Sequence, residues 1–429
     1  MVKDWKRWTA AAAATVVALG ALAACGANSG SDDGDGTKIT IFNSKSEIQS
    51  QLEELAESYG ESHGVDVEVY YSNDTVAAHM ATKYAANQPY TISMVDAKDV
   101  YSLGAEHAID LSGEKWVSDT DQAISVNGKV LGFPVSVEAR GLIYNADAIK
   151  KVTGKDFDPS TIKTTDDFKQ IISDLKAGGM ENPVGVMKED WSLAAHYLPQ
   201  VYEEQSDPAA FIKSLHDGAD LNADARWTSL MDTFDVLKDN NYAQGDKAIS
   251  AEREVTEQKL AKGEIAFMFG GNWDWAVLNQ YEPSKNMGMM PVPQNDNSMD
   301  VQDKLVGGGS KYFFIDNSKN TSEAQQKAAK AFLNWLSEEK DGQEWVVNTA
   351  HLVSPFKSNK LEVADPLGKS VKKFADANKL INNYNYLPDD HYSVLGANFQ
   401  KYLAGQEDRA ALAGQIVDYW KANDMKTIQ

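Results

Sequence analysis

The chain runs to 429 residues, 42% hydrophobic and 24% charged, a composition that builds packed cores and excludes a largely disordered polymer. That length exceeds what a single hydrophobic core usually serves, so two lobes are expected. A net charge of −22 repels nucleic acid and anionic lipid surfaces, which excludes both as ligands and leaves a neutral solute unopposed.

At the N-terminus, Lys3, Lys6 and Arg7 precede an apolar run from Thr9 to Ala24. This is the arrangement of a secretory signal peptide, and the run is short for a membrane span. It ends in Leu22-Ala23-Ala24-Cys25-Gly26, which resembles a bacterial lipobox. Residues 1–24 are therefore expected to be a cleaved signal peptide, with Cys25 as the lipidation site. Cys25 is also the only cysteine, so no internal disulfide forms. Residues 25–37, small, polar and acidic, read as a flexible tether.

Folded structure is expected from Lys38. Residues 38–42 alternate as a strand. Ser46-x-x-Gln49 reads as a capping box opening a helix with Ile48, Leu52, Leu55 and Tyr59 on one face and a stop at Gly60. Val65, Val67 and Val69 alternate as a second strand. A helix over 75–87 and a third strand over 91–95 follow, and the β-α-β-α-β order predicts a parallel sheet covered by helices. Further on, the pattern predicts a helix over 166–177 stopping at Gly178-Gly179, a strand over 183–187 and a helix from Ser192. A helix over 225–239 and a buried strand over 265–269 come next. Residues 311–315 read as a strand, 322–337 as a helix, and the chain from 366 onward as mostly helical.

Signatures of chemistry are scarce. The seven histidines form no HExxH or other paired metal spacing, and one cysteine cannot build a zinc site, so no metal and no cofactor are expected. Gly307-Gly308-Gly309 lacks the spacing of a phosphate loop, and no G-x-S-x-G elbow occurs. No catalytic residue is assigned. The enzyme alternative is a glycoside hydrolase, whose two carboxylates any acidic chain can supply on paper; a binding protein for a non-sugar solute is the other alternative.

Three segments carry a family resemblance. Val126-Asn127-Gly128-Lys129-Val130-Leu131-Gly132-Phe133-Pro134, continuing to Leu142-Ile143-Tyr144-Asn145, is the first. Leu260-Ala261-Lys262-Gly263-Glu264-Ile265-Ala266-Phe267-Met268 with Gly270-Gly271-Asn272-Trp273 is the second. Val306-Gly307-Gly308-Gly309, leading to Phe332-Leu333-Asn334-Trp335-Leu336, is the third. In this order they resemble the extracellular solute-binding proteins (family 1) of carbohydrate ABC importers. One departure is Pro89-Tyr90-Thr91-Ile92, where members often carry a PDV run. The resemblance implies an α/β, two-lobe periplasmic-binding-protein-like fold of class II type, with a hinge and an interlobe ligand cleft. Lobe 1 would comprise 38–137 and 308–355, lobe 2 138–307 and 356–429. It implies a non-enzymatic, monomeric lipoprotein, held to the outer face of the cell membrane through Cys25. Such a protein delivers an oligosaccharide to permease subunits, and the overall likeness points to α-1,6-linked sugars such as raffinose.

A sugar offers hydroxyls around its rim and C–H faces above and below, so its site needs polar side chains in plane and aromatic rings on the faces. Asn43, Lys45 and Glu47 follow the first strand and Asp96 the third, on the edge where open α/β sheets bind ligands. Glu138 falls in the first crossover, with an ion pair to Arg140 as the competing account. By resemblance Trp273 is the main stacking platform. Asn272 and Asp274 flank it, and Trp275 reads as core. Trp191 and His196 are further candidates, and Gly308 and Gly309 would allow close backbone approach. Late in the chain Tyr384, Tyr386, Asp389, Asp390, His391 and Tyr392 cluster; of these Tyr386, Asp389, Asp390 and His391 are taken as contacts to a terminal sugar.

Overall fold

The computed structural model describes residues 36–72, 74–298, 300–388 and 390–423. The expected signal peptide, Cys25 and most of the tether lie outside the described residues, as does Asp389. Among the described residues, twelve strands form two sheets: β1 Lys38–Asn43, β2 Asp66–Tyr71, β3 Ile92–Asp96, β4 Ile124–Val126, β5 Lys129–Pro134, β6 Val137–Asn145, β7 Val184–Gly185, β8 Phe267–Gly271, β9 Met287–Met290, β10 Leu305–Gly309, β11 Lys311–Ile315 and β12 Leu380–Ile381. The first sheet has the order β2-β1-β3-β11-β5-β4, the second β12-β10-β6-β8-β7 with β9 on β6.

The opening of the chain follows its sequence pattern. β1 pairs in parallel with β2 and with β3, because a helix carries the chain back between strands each time. Ile39, Ile41, Ile92 and Met94 point into one core with Leu52, Leu55 and Phe332. Two details differ from expectation. Helix Gln49–His63 starts without a capping box: Gln49 Oε1 instead accepts from Asn43 Nδ2 at 2.9 Å. It also runs past Gly60 to end at Gly64, whose φ of +67° supplies the left-handed cap. Gly60 is needed for space, since a Cβ there would lie 2.5 Å from the Val65 carbonyl oxygen.

Around the second sheet, helices Thr165–Ala177 and Ala225–Asp239 form where their periodicity placed them. The first is fixed by a Thr164/Asp167 capping box. They enclose a second core with Trp227, Phe234, Phe399 and Trp420. The 183–187 strand shrinks to β7, and the strand expected over 265–269 is shifted two residues to β8. The segment from Ser192 is a π-helical turn, Trp191–Tyr197, followed by a short helix, Gln200–Glu203.

The chain passes between the sheets on very short connections. Only Val135 and Ser136 separate β5 from β6, and only Ser310 separates β10 from β11. A last passage lies between Ser358 and helix Pro366–Asp376. The Ser358 amide still donates to Asp119 at 3.1 Å, whereas helix Pro366–Asp376 packs on β9.

Candidate functional site

A cleft of about 720 Å³ runs along the carboxyl ends of β1, β2 and β3 and the start of β11. Opposite it stand β6, the Trp191–Tyr197 turn, Trp273 and the 383–388 loop. Because β11 runs antiparallel to β3, its first residue Lys311 meets the last residue of β3, Asp96. The volume lies within the 300–1,000 Å³ typical of small-molecule sites.

Ion pairs make the polar surface, Lys45 with Glu138 buried and Asp96 with Lys311 more exposed. Lys45 Nζ donates to Glu138 Oε1 at 2.6 Å with side chains only 5% and 9% exposed, so Glu138 pairs with Lys45 and not with Arg140. Burial works against the Lys45 ammonium, but Glu138 and Glu47 outweigh it and hold its pKa above the ordinary lysine value. Glu47 is opposed by burial in the same way and held below its ordinary value by Lys45. Asp96 lies 2.6 Å from Lys311, which overcomes the cost of burial and lowers its pKa.

Arg140 bonds to Glu203, to the His196 carbonyl at 2.8 Å and to Asn383 Oδ1 at 2.6 Å. Arg253 donates to Asp274 at 2.8 Å and Glu257 at 3.0 Å, and its guanidinium lies 5.1 Å from the Trp191 ring centroid. Burial and the neighbouring Asp274 push the Glu257 carboxyl well above its ordinary value.

The apolar surface is a run of three rings. His196 meets the Trp191 ring at 5.4 Å in an edge geometry and the Trp273 ring at 4.7 Å. Burial and Arg140 push the His196 imidazole well below its ordinary value, so it stands neutral between the tryptophans. Gly271 makes room for this arrangement: a Cβ there would fall within 2.3 Å of the Trp273 ring. We expect Gly271→Ala to swing the indole out of place and weaken ligand binding several-fold with a smaller change in stability, read by calorimetry and thermal melting. Unchanged affinity would show that the indole position is immaterial.

Of the residues expected from sequence, Lys45, Glu47, Asp96, Glu138, Trp191, His196, Trp273 and Gly309 line the cleft together. Others are corrected. Asn43 is fully buried and builds the loop that presents Lys45, its Oδ1 accepting from the Lys45 amide at 2.9 Å. Asn272 Oδ1 accepts from the Ala139 amide at 3.0 Å, tying the end of β8 to β6. Asp274 is fully buried and acts through Arg253. Gly308 stays off the lining, with a φ of +149° that suits glycine. Asp390 accepts from the Tyr419 hydroxyl at 2.7 Å, and Tyr386 packs on Tyr101 and Tyr384. Trp275 packs against the core as expected.

His391 borders the cleft but is 1% exposed, with its ring set among Tyr202, Tyr419 and Trp420. Burial drops its pKa from 6.5 to about 3. Between those values the unfolded chain binds the proton and the native one does not. The stability this residue contributes is thus present above about pH 6.5 and lost as pH falls toward 3. Melting curves across that range should flatten in His391→Gln; an unaltered slope would place the acid sensitivity elsewhere.

Sequence reasoning missed Arg140, Arg253, Lys311 and Asn383 as cleft residues. Period two along β6 puts Arg140 on the same face as Glu138, and Lys311 opens a strand, so both carried a signal. Arg253 and Asn383 carried none.

Residues 54–383 match the family described as bacterial extracellular solute-binding protein. The melibiose/raffinose/stachyose-binding protein MelE of Bacillus subtilis (strain 168) is 22% identical over 406 residues, which are 89% of this chain and 89% of MelE. RafE from Streptococcus pneumoniae in its apo form superposes with a TM-score of 0.70 at 18% identity, over 91% of this chain and 99% of that one. RafE in complex with raffinose gives 0.73 at 17%, over 90% and 99%. At these identities the superpositions speak for the fold, which is the two-lobe α/β architecture with its ligand cleft. With the match spanning most of the folded residues, the chain belongs to the bacterial extracellular solute-binding proteins.

Proposed function

We propose that the chain captures a short oligosaccharide in this cleft and presents it to the permease subunits of an ABC importer without altering it chemically. The observation that carries this reading is the pairing of a three-ring wall, Trp191, His196 and Trp273, with a rim of ion-paired polar side chains. Aromatic faces cover sugar C–H faces, and charged donors and acceptors give the stronger hydrogen bonds, about 1.5–3 kcal/mol each. The names of MelE and RafE, which bind melibiose, raffinose or stachyose, support α-1,6-linked galactosides as the preferred class.

Two further parts belong to the reading. The lobes follow the two sheets, roughly 38–137 with 308–355 and 138–307 with 356–429, and swing about the short connections at 135–136 and Ser310. The chain works as a monomer, tethered to the outer face of the membrane through lipid on Cys25. Among the described residues no helix is long and apolar enough to cross a membrane. A hydrolytic reading is disfavoured because a glycosidase needs a carboxylic acid with a raised pKa facing the substrate. Here Glu47 and Asp96 are held low by their lysines.

Isothermal titration with melibiose, raffinose, stachyose and maltotriose, against amino acids and a dipeptide, tests the proposal. We expect saturable binding of at least one of the galactosides, with intact sugar recovered afterwards. Binding of none of the glycans would overturn it, and released monosaccharide would move the protein to the hydrolases.

A further inference from the structure

We infer that a tyrosine pair across the cleft, Tyr101 with Tyr386, is an end stop: it seals the β11 end, so the bound glycan is held by one terminus and its other end leaves past β2. The inference rests on the sugar-binding reading above and adds which part of the glycan is recognised.

The order of the first sheet gives the cleft a direction. Its lining passes from the end of β2 (Tyr71 to Ala77), through β1 (Ser44 to Glu47) and β3 (Asp96 to Lys98), to the start of β11. Tyr101 stands beyond β3 on a π-helical turn, Val100–Gly104, that packs on β11, β5 and β4, which places it at the β11 end. Its ring centroid lies 5.1 Å from that of Tyr386, which comes from the facing side of the cleft on the loop after β12. Tyr384 stands edge-on to Tyr386 at 5.3 Å and lines the cleft itself. Burial and a hydrogen bond donated to Tyr386 both push the Tyr101 phenol upward, in keeping with two hydroxyls that meet.

The loop that brings Tyr386 is fixed at its base. Arg140 donates to Asn383 at 2.6 Å, the Tyr384 amide donates to Glu203 Oε1 at 3.0 Å, and Tyr384 and Leu387 pack on the second core. Among the described residues, the lining at the other end is the end of β2 and the residues that lead into the next helix. β2 is an edge strand, Tyr71 is 42% exposed, and the Ser72 hydroxyl donates to the exposed Asp74 carboxylate at 3.1 Å. A stop at one end and an exit at the other select for a glycan terminus.

The test uses the mature chain, melibiose, and two derivatives that add bulk at opposite ends: 4-nitrophenyl α-melibioside at the reducing end and manninotriose at the non-reducing end. We expect the native protein to bind one derivative about as well as melibiose and the other at least tenfold more weakly. Tyr101→Ala and Tyr386→Ala should each restore the rejected derivative by tenfold or more while changing melibiose affinity less. Tyr101→Phe, which keeps the ring, should still reject it. Thermal melting confirms that each variant is folded, and either alanine variant suffices. Native protein that accepts both derivatives alike, or rejects both, has no single closed end. Rejection that survives in the folded alanine variants places the block elsewhere. Failure of melibiose and the other glycans to bind at all would count against the sugar-binding reading instead.

Discussion

Glu138→Ala should cost the protein about 3 kcal/mol of stability and most of its ligand affinity. The carboxylate and the Lys45 ammonium are 2.6 Å apart with side chains 9% and 5% exposed. Removing one member of such a pair strands the other charge in a poorly hydrated site, at a typical cost of 3–5 kcal/mol. The lower end applies because Glu47 remains 3.9 Å from the ammonium. Replacing both partners, as Lys45→Met with Glu138→Leu, should recover most of the stability but none of the binding, since the polar groups that face the ligand are then gone. Chemical denaturation of the three variants measures this. A single variant that loses under 1 kcal/mol would mean water reaches Lys45 freely.

Trp273→Ala should weaken sugar binding by about 1–3 kcal/mol, roughly 5- to 150-fold, with a native-like melting curve. The indole is part-buried at the end of a strand, follows Gly271, and leans on His196 rather than on the main core. Its loss therefore falls on the ligand face. His196 makes the effect larger than one ring, because the imidazole is positioned between Trp273 and Trp191 and loses one neighbour. Calorimetry gives the affinity and circular dichroism the fold; an unchanged dissociation constant in a folded variant would assign Trp273 to packing alone.

What the sequence could reveal follows from the range of the interactions. Helix Ala225–Asp239 and strand β11 are readable because their periodicity is local, every third or fourth residue in one and a continuous apolar run in the other. The short strands β9 and β12 are not, since four and two residues hold no period and exist only where β6 and β10 offer an edge. The cleft shows the same division. Trp273 and Lys45 sit at strand ends, which sequence can mark. The partners are far away: Lys45 finds Glu138 across 93 positions and Arg140 finds Asn383 across 243. Asp274 was misplaced because sequence neighbours on a tight turn face opposite ways, Trp273 outward and Asp274 into the interior. His391 belongs to a polar stretch yet opens a helix on the face that Leu395 and Phe399 carry into the core.

The burial of the Lys45–Glu138 and Arg140–Glu203 pairs beside the cleft has a consequence for the surroundings in which the protein works. Charges that are matched at contact distance and shielded from solvent are barely screened by dissolved electrolyte, whose reach at 0.15 M is about 8 Å through water. A neutral sugar adds no net charge of its own. Uptake should then be indifferent to the salinity of the medium: titrating raffinose in 0.05 M and 1 M sodium chloride should give dissociation constants within about twofold of each other. A steep decline would mean that the pairs open to admit the ligand.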